Sequence, residues 1–359
     1  MTSKVISVTQ NVADTDADVA VPGYWYTDPN IFNQEREKIW YKSWLFAGRL
    51  EKLANPGDYI TCKIGDEPIF VIRTHSGKLQ AMYNVCPHRG MRIVEGQGKC
   101  KHLLCPYHHW TYSLDGQLQG VPYAQECFPG LDKSSIALTK VQVDTWGGFI
   151  FVNLDPEAGP LRDYLAGSPE HMEQYSQPWE EMRATHGATF EVPFNWKILL
   201  ENYIDAYHIP MVHSPTLGGR FEMPGFVGGC MSGMHTLQYY DYLVPRERTY
   251  ISWLFPNTTI LTLDEYVLVW QVNPVNPEFT VIEKFLLQTP AQIEKFPMKS
   301  EEIISKQFRM VFEEDIPFCR TLQEQVKSRA YNGNQKLAKG PEDGVLYFRK
   351  ALLQVMNNT

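Results

Sequence analysis

The sequence predicts an α+β protein of two domains, an all-β module followed by a larger domain that combines an antiparallel sheet with helices. Three observations predict it. At 359 residues the chain exceeds the roughly 250–300 at which a single core stops growing. Between about residues 57 and 154, short strand-like runs alternate with turns. Beyond Asp155-Pro156, helical periodicity appears at 194–209 and 301–328, with strand-like runs such as 266–272 between them.

Within the all-β stretch, residues 59–64 and 68–73 carry the β-branched and aromatic side chains that suit a pleated surface. Thr74-His-Ser-Gly77 reads as the turn before a strand at 79–85. Asp115-Gly116, between 111–114 and 117–120, is a two-residue hairpin signal because glycine accepts the positive φ such turns demand. Residues 28–42 have a helical pattern and are expected to pack on the second domain. The expected division is therefore an N-terminal segment at 1–42, the β module at 43–155 and the larger domain at 156–359.

Composition narrows the function. Hydrophobic residues make up 43% and aromatics 13% of the chain, enough for a packed core and too much for disorder. A net charge of −8 and the absence of a Lys/Arg stripe argue against nucleic acid as a partner. The longest apolar run, Trp146-Gly-Gly-Phe-Ile-Phe-Val152, falls short of the roughly 20 residues that span a bilayer. With Asp14, Asp16 and Asp18 in place of an apolar leader core, a soluble cytoplasmic protein is expected. Seven cysteines at irregular spacing do not form a disulfide framework in a reducing compartment.

Four residues on two loops carry the first chemistry: Cys86-x-His88 and Cys105-x-x-His108, each pair on a turn stiffened by Pro87 or Pro106. Zinc would accept two thiolates and two imidazoles. So would a two-iron cluster whose outer iron takes two histidines. Mixed Cys/His pairs repeated on two loops favour the cluster, since both thiolates reach one iron while both imidazoles point outward. Gly90 would let the backbone approach the cluster sulfides.

Cys86-Pro-His88-Arg89-Gly90 and Cys105-Pro-Tyr107-His108 resemble the cluster motif of the oxygenase components of Rieske non-haem iron oxygenases. The resemblance implies a Rieske [2Fe–2S] domain followed by a helix-grip (START-like) catalytic domain. One position departs from it. His109 stands where members carry a small residue, most often glycine; it would tune the potential or the contact with an electron donor, or be a surface imidazole without a role.

The second constellation lies in 201–213. At about 100° per residue, Asp205 and His208 share nearly one helix face, so the carboxylate can orient the imidazole. His213 would lie roughly 140° from His208 on an unbroken helix, and Pro210 is expected to end or bend that helix so that both imidazoles reach one ion. In the later helix, Ile304, Phe308, Val311, Cys319, Leu322 and Val326 form an expected core stripe. Asp315 falls on the stripe, where a carboxylate is costly unless paired or metal-bound, whereas Glu313 and Glu314 are expected to be solvated. Pro317 is expected to interrupt the helix just after Asp315. His208, His213 and Asp315 would form a two-His, one-carboxylate site for ferrous iron.

The resemblance extends to this region: Asn202, Asp205, His208 and His213 are similar to the family's D-x2-H-x4-H motif, and Glu314-Asp315 to its acidic pair. It implies Asp205 and Asn202 as catalytic residues and an electron route from His108 to Asp205 and His208 of a neighbouring chain. A homotrimer, or a multiple of one, follows from that route. No G-x-G-x-x-G fingerprint is present, so electrons are expected from a separate NAD(P)H-dependent reductase, with or without a ferredoxin. The substrate would be oxidised with O2. Aromatics such as Tyr239, Tyr240, Tyr242, Trp253, Phe255 and Trp270 suit an apolar pocket for an aromatic compound or, by cation–π attraction, a quaternary amine. The alternatives are an electron-transfer protein without oxygenase activity and a zinc-stabilised binding module.

Overall fold

A computed structural model of the chain describes residues 19–175, 177–217, 227–241, 248–297, 309–333 and 335–357. The chain forms two compact units. One comprises Arg36–Tyr164 and Pro178–Ala184; the other comprises residues through Glu35, Leu165–Gln177 and the chain from Thr185 onward.

The first unit is built on a seven-stranded sheet. Its spatial order is Leu45–Arg49, Phe149–Asn153, Lys140–Trp146, Leu79–Tyr83, Glu67–Arg73, Asp58–Ile64 and Gln97–Lys99. A three-stranded sheet of Leu103–Leu104, Thr111–Tyr112 and Leu118–Gly120 shares its core, in which Phe70, Ile72 and Met82 meet Leu103, Tyr112 and Leu118. The strand expected at 79–85 stops at Tyr83 because Asn84 turns inward. Its side chain accepts from the backbone N–H of Ile93 (2.8 Å) and Val94 (3.2 Å) and donates to the Val94 carbonyl (2.7 Å). The chain thereby leaves the sheet two residues before Cys86. The hairpin around Asp115-Gly116 forms with a wider turn: the Ser113 N–H bonds to the Gln117 carbonyl, and Gly116 sits at φ +89°.

The second unit holds a seven-stranded sheet in the order Arg183–Val192, Phe279–Gln288, Val267–Asn276, Thr258–Thr262, Arg248–Leu254, His235–Asp241 and Val227–Ser232. The last six are consecutive in sequence and antiparallel, as short turns between neighbours require. The helix Asp343–Asn357 lies across His235–Asp241 and buries Val345, Phe348, Ala351 and Leu352. A Cβ on Gly344 would lie 2.5 Å from the Ile204 carbonyl oxygen, so only glycine permits this approach.

Two expected helices differ in detail. The one expected at 194–209 spans only Trp196–Tyr203, started by the Asn195 side chain accepting from the Lys197 N–H. It stops because Asp205 accepts from the Tyr207 N–H at 2.6 Å, a local bond that competes with helix continuation. Pro210 consequently does not end that helix. It sits in the first turn of a new one, Ile209–Val212, where a missing N–H costs nothing.

The later helix is described from Met310 to Gln325 and runs through the exposed Pro317 without stopping. Ile304 and Phe308 lie outside the described residues. The buried face is Phe312, Asp315, Cys319 and Gln323, while Leu322 is 48% exposed. The stripe steps to 323 because Gln323 accepts from the Asn195 N–H (2.7 Å) and donates to the Tyr26 carbonyl (3.2 Å), polar contacts that apolar periodicity does not register.

Helix Pro29–Glu35 is anchored in this second unit by a buried ion pair. Lys197 Nζ donates to Glu35 at 2.6 Å with both side chains fully buried, and the Trp196 indole donates to the other Glu35 oxygen at 2.9 Å. Removing one member of such a pair strands a buried charge. Lys197→Met is expected to cost about 3–5 kcal/mol in chemical denaturation, and Glu35→Leu/Lys197→Met to recover most of it.

Candidate metal centres

The two cysteine loops are built on one backbone pattern. The Cys86 carbonyl accepts from the Gly90 N–H (2.8 Å) and the Cys86 N–H bonds to the Met91 carbonyl (2.9 Å). The Cys105 carbonyl likewise accepts from the His109 N–H (3.0 Å), and the Cys105 N–H bonds to the Trp110 carbonyl (2.9 Å). Gly90 and His109 occupy equivalent places, at φ +75° and +57°. That conformation favours glycine, and histidine is among the few other residues that tolerate it. His109 is therefore a turn residue.

Both cysteines are 1% exposed, and the tyrosine hydroxyl of Tyr112 lies 3.1 Å from Cys86 Sγ. The His88 and His108 rings lie 4.6 Å apart, with Trp110 stacked on His88 at 4.7 Å. Both Nδ1 atoms are buried without a hydrogen-bond partner among the described residues. A buried imidazole nitrogen without a partner costs free energy that a metal bond would remove. Burial, helped by His108 and Arg89, lowers the His88 pKa and so favours the neutral, ligating form. The set fits a cluster held by two thiolates and two imidazole nitrogens.

In the other unit, His208, His213 and Asp315 bring three ligand atoms within 4.8 Å of one another. His208 Nε2 lies 3.2 Å from His213 Nε2, and Asp315 Oδ1 lies 3.5 and 3.2 Å from the two nitrogens. With bonds of about 2.1 Å, as imidazole makes to divalent ions, neighbouring ligands of an octahedron stand about 3.0 Å apart, so the spacing fits one face. Each imidazole is held from behind by a carboxylate. His208 Nδ1 is 2.8 Å from Asp205 Oδ2, and His213 Nδ1 is 2.8 Å from Glu314 Oε2, which also accepts from Thr216 at 2.7 Å. Asn202 Nδ2 reaches Asp315 Oδ1 at 3.4 Å.

Glu314, expected to be solvated, is thus half-buried and engaged. Neighbours on a helix point about 100° apart, yet the ring of His213 is large enough for Asp315 to face one nitrogen and Glu314 the other. No spacing rule shows this. The electrostatics match a cation site. Burial opposes charge on His208, but Asp205 and Asp315 outweigh it and raise its pKa to about 9. His213 is raised in the same way, by Asp315 and Glu314 against burial.

Residues 43–141 match the Rieske [2Fe-2S] domain, and 179–233 with 231–358 match the ring hydroxylating alpha subunit (catalytic domain). The chain belongs to the Rieske oxygenases. It is an oxygenase component, an oxidoreductase that incorporates molecular oxygen, with a [2Fe–2S] cluster and a mononuclear iron as cofactors. Rieske oxygenase components draw electrons from a reductase or ferredoxin and act on small molecules.

The chain is 29% identical to the carnitine monooxygenase oxygenase subunit of Escherichia coli (strain K12), across 94% of each chain. The quaternary ammonium Rieske monooxygenase CntA, solved with L-carnitine, superposes with a TM-score of 0.82 at 28% identity, covering 96% of this chain and 98% of that one. Naphthalene 1,2-dioxygenase from Rhodococcus sp. shares the fold at a TM-score of 0.82 and 21% identity, over 95% of each chain. No helix among the described residues is long and apolar enough to cross a membrane.

Two outcomes are expected of this Rieske oxygenase. Glu314→Ala frees the His213 ring and should weaken ferrous-iron affinity about 10–100-fold, read by anaerobic titration, with the cluster spectrum unchanged. Because His208 keeps its proton below about pH 9 in the metal-free protein, iron must displace it. Apparent affinity should therefore rise about tenfold or more per unit between pH 6 and 8, more where His213 also gives up a proton; an affinity that does not change with pH contradicts the assignment.

Proposed function

We propose that this chain is the terminal oxygenase of a multicomponent system acting on a small quaternary amine. The observation that carries it is the convergence of His208 Nε2, His213 Nε2 and Asp315 Oδ1 within 4.8 Å, in a chain that also presents the two Cys/His loops. The full-length similarity to enzymes of carnitine, set against a likeness in fold alone to naphthalene dioxygenase, favours the amine over an aromatic ring.

In this reading residues 43–155 form the Rieske domain and 156–359 the catalytic domain; of the N-terminal segment 1–42, Pro29–Glu35 packs on the latter, whereas Arg36 onward goes with the former. Cys86, His88, Cys105 and His108 hold the cluster; His208, His213 and Asp315 hold ferrous iron. When bound, the cluster supplies single electrons and the iron supplies the site where O2 is reduced. One oxygen atom enters the substrate and the other leaves as water, which takes two electrons and two protons from outside the chain.

The residues of the chain set the geometry for this. Asp205 holds His208 Nδ1 and so aims Nε2 at the centre, while Asn202 orients the Asp315 carboxylate. Asp205 is also the proposed entry point for electrons arriving from His108 of a neighbouring subunit, which calls for a homotrimer or a multiple of one. An NAD(P)H-dependent reductase, with or without a ferredoxin, is the proposed donor, and the cytoplasm the proposed location.

Protein prepared anaerobically should contain three irons and two sulfides per chain and consume O2 with an added surrogate reductase and a quaternary amine. Iron and sulfide without amine-dependent uptake would leave only electron transfer; zinc without sulfide would leave a binding module. With ferrous iron in excess, Asp205→Ala should keep both centres largely filled yet lose turnover at least tenfold. Normal turnover in that variant would remove the route.

A further inference from the structure

A buried lysine packs on Phe312, one helical turn before the iron-site carboxylate, and the chemistry described so far does not use it. Lys284, on the strand Phe279–Gln288, is 1% exposed. Its Nζ stands 3.5 Å from the ring centre of Phe312, 3.6 Å from that of Trp270 and 4.7 Å from that of Phe190. Phe312 is three residues before Asp315 on the same buried helix face.

The amine finds no hydrogen-bond acceptor among the described residues, and neither does the buried indole Nε1 of its cross-strand neighbour Trp270. Two donors in one cluster therefore lack acceptors. Burial pushes the amine well below the usual lysine range, and the one charge acting against this is Asp315, whose carboxylate is committed to the metal in the proposed site. The aromatic faces can stabilise a cation, but the group already placed against them is the protein's own amine. A quaternary ammonium brought to the same rings would meet an amine already in place.

We propose that Lys284 is the receptor for an anionic group, a carboxylate, on the substrate of this oxygenase. A carboxylate would give the amine both a counter-charge and acceptors, and charge-assisted hydrogen bonds of this kind are the strong ones. The inference rests on the oxygenase reading of the adjacent site and narrows it: the amine oxidised is one that also carries an acid, with its ammonium held away from Phe190, Trp270 and Phe312. Lys284 is then a specificity-determining residue.

The test uses the full-length, iron-loaded protein and three probes of one shape, with binding measured calorimetrically. They are γ-butyrobetaine, its methyl ester, and 5,5-dimethylhexanoate, in which carbon replaces the charged nitrogen. Both acids should bind, and the ester at least tenfold more weakly than γ-butyrobetaine. Lys284→Met should bind acid and ester alike and should melt at a higher temperature than the parent, because it removes an unpaired buried amine.

A Lys284→Met protein that keeps the preference for acid overturns the inference. So does a parent protein that binds the ester as tightly as the acid, or that binds neither acid. The ester comparison needs no variant to fold. Product release from γ-butyrobetaine is a separate measurement: Lys284-dependent binding of 5,5-dimethylhexanoate without oxidation of γ-butyrobetaine keeps the receptor and removes the quaternary amine as substrate.

Discussion

Two imidazole nitrogens held 3.2 Å apart form the constraint around which the second unit is organised. Two such groups repel when both are protonated and gain nothing when neither is, so a cation between them is what the arrangement favours. Each ring is fixed by its other nitrogen, His208 through Asp205 and His213 through Glu314. The helix that stops at Tyr203, the turn formed by Asp205 and the proline-started helix Ile209–Val212 all place those rings. The buried face of Met310–Gln325 then brings two consecutive carboxylates to opposite nitrogens of one histidine.

The cluster loops use histidine the other way round. His88 and His108 leave Nδ1 buried without a partner, and no described carboxylate stands behind them. What holds these rings is packing, Trp110 stacked on His88 and Phe128 edge-on to both Trp110 and His88. The contrast suits the two tasks. Carboxylate-backed imidazoles raise the negative potential that binds a divalent ion, whereas imidazoles packed in an aromatic setting suit a centre that changes charge by one electron.

The cluster loops were the most legible part of the sequence, because ligands two and three residues from their cysteines require only local backbone to come together. Asp205 and His208 were legible for the same reason, being three positions apart. Asp315 could be singled out as a carboxylate on an apolar stripe, although the stripe itself runs through Phe312 and Gln323 and leaves Leu322 in solvent. The role of His109 was not legible, since a positive φ is invisible until the loop is seen beside its counterpart at Gly90. Lys284 gave no signal, because a lone lysine in a strand reads as a solvated edge residue until its neighbours are known.

By itself, then, the sequence determined the α+β class, the Cys/His loops and the short-range pair Asp205–His208, all of which follow from contacts between residues a few positions apart. Tertiary structure decided which carboxylate backs His213, which face of Met310–Gln325 is buried, and that three aromatic rings from separate strands and a helix surround one amine. These depend on side chains a hundred or more positions apart in the chain, such as His213 and Glu314 or Asn195 and Gln323. Their meeting is set by how sheet and helices pack, and periodicity along one segment carries no record of it.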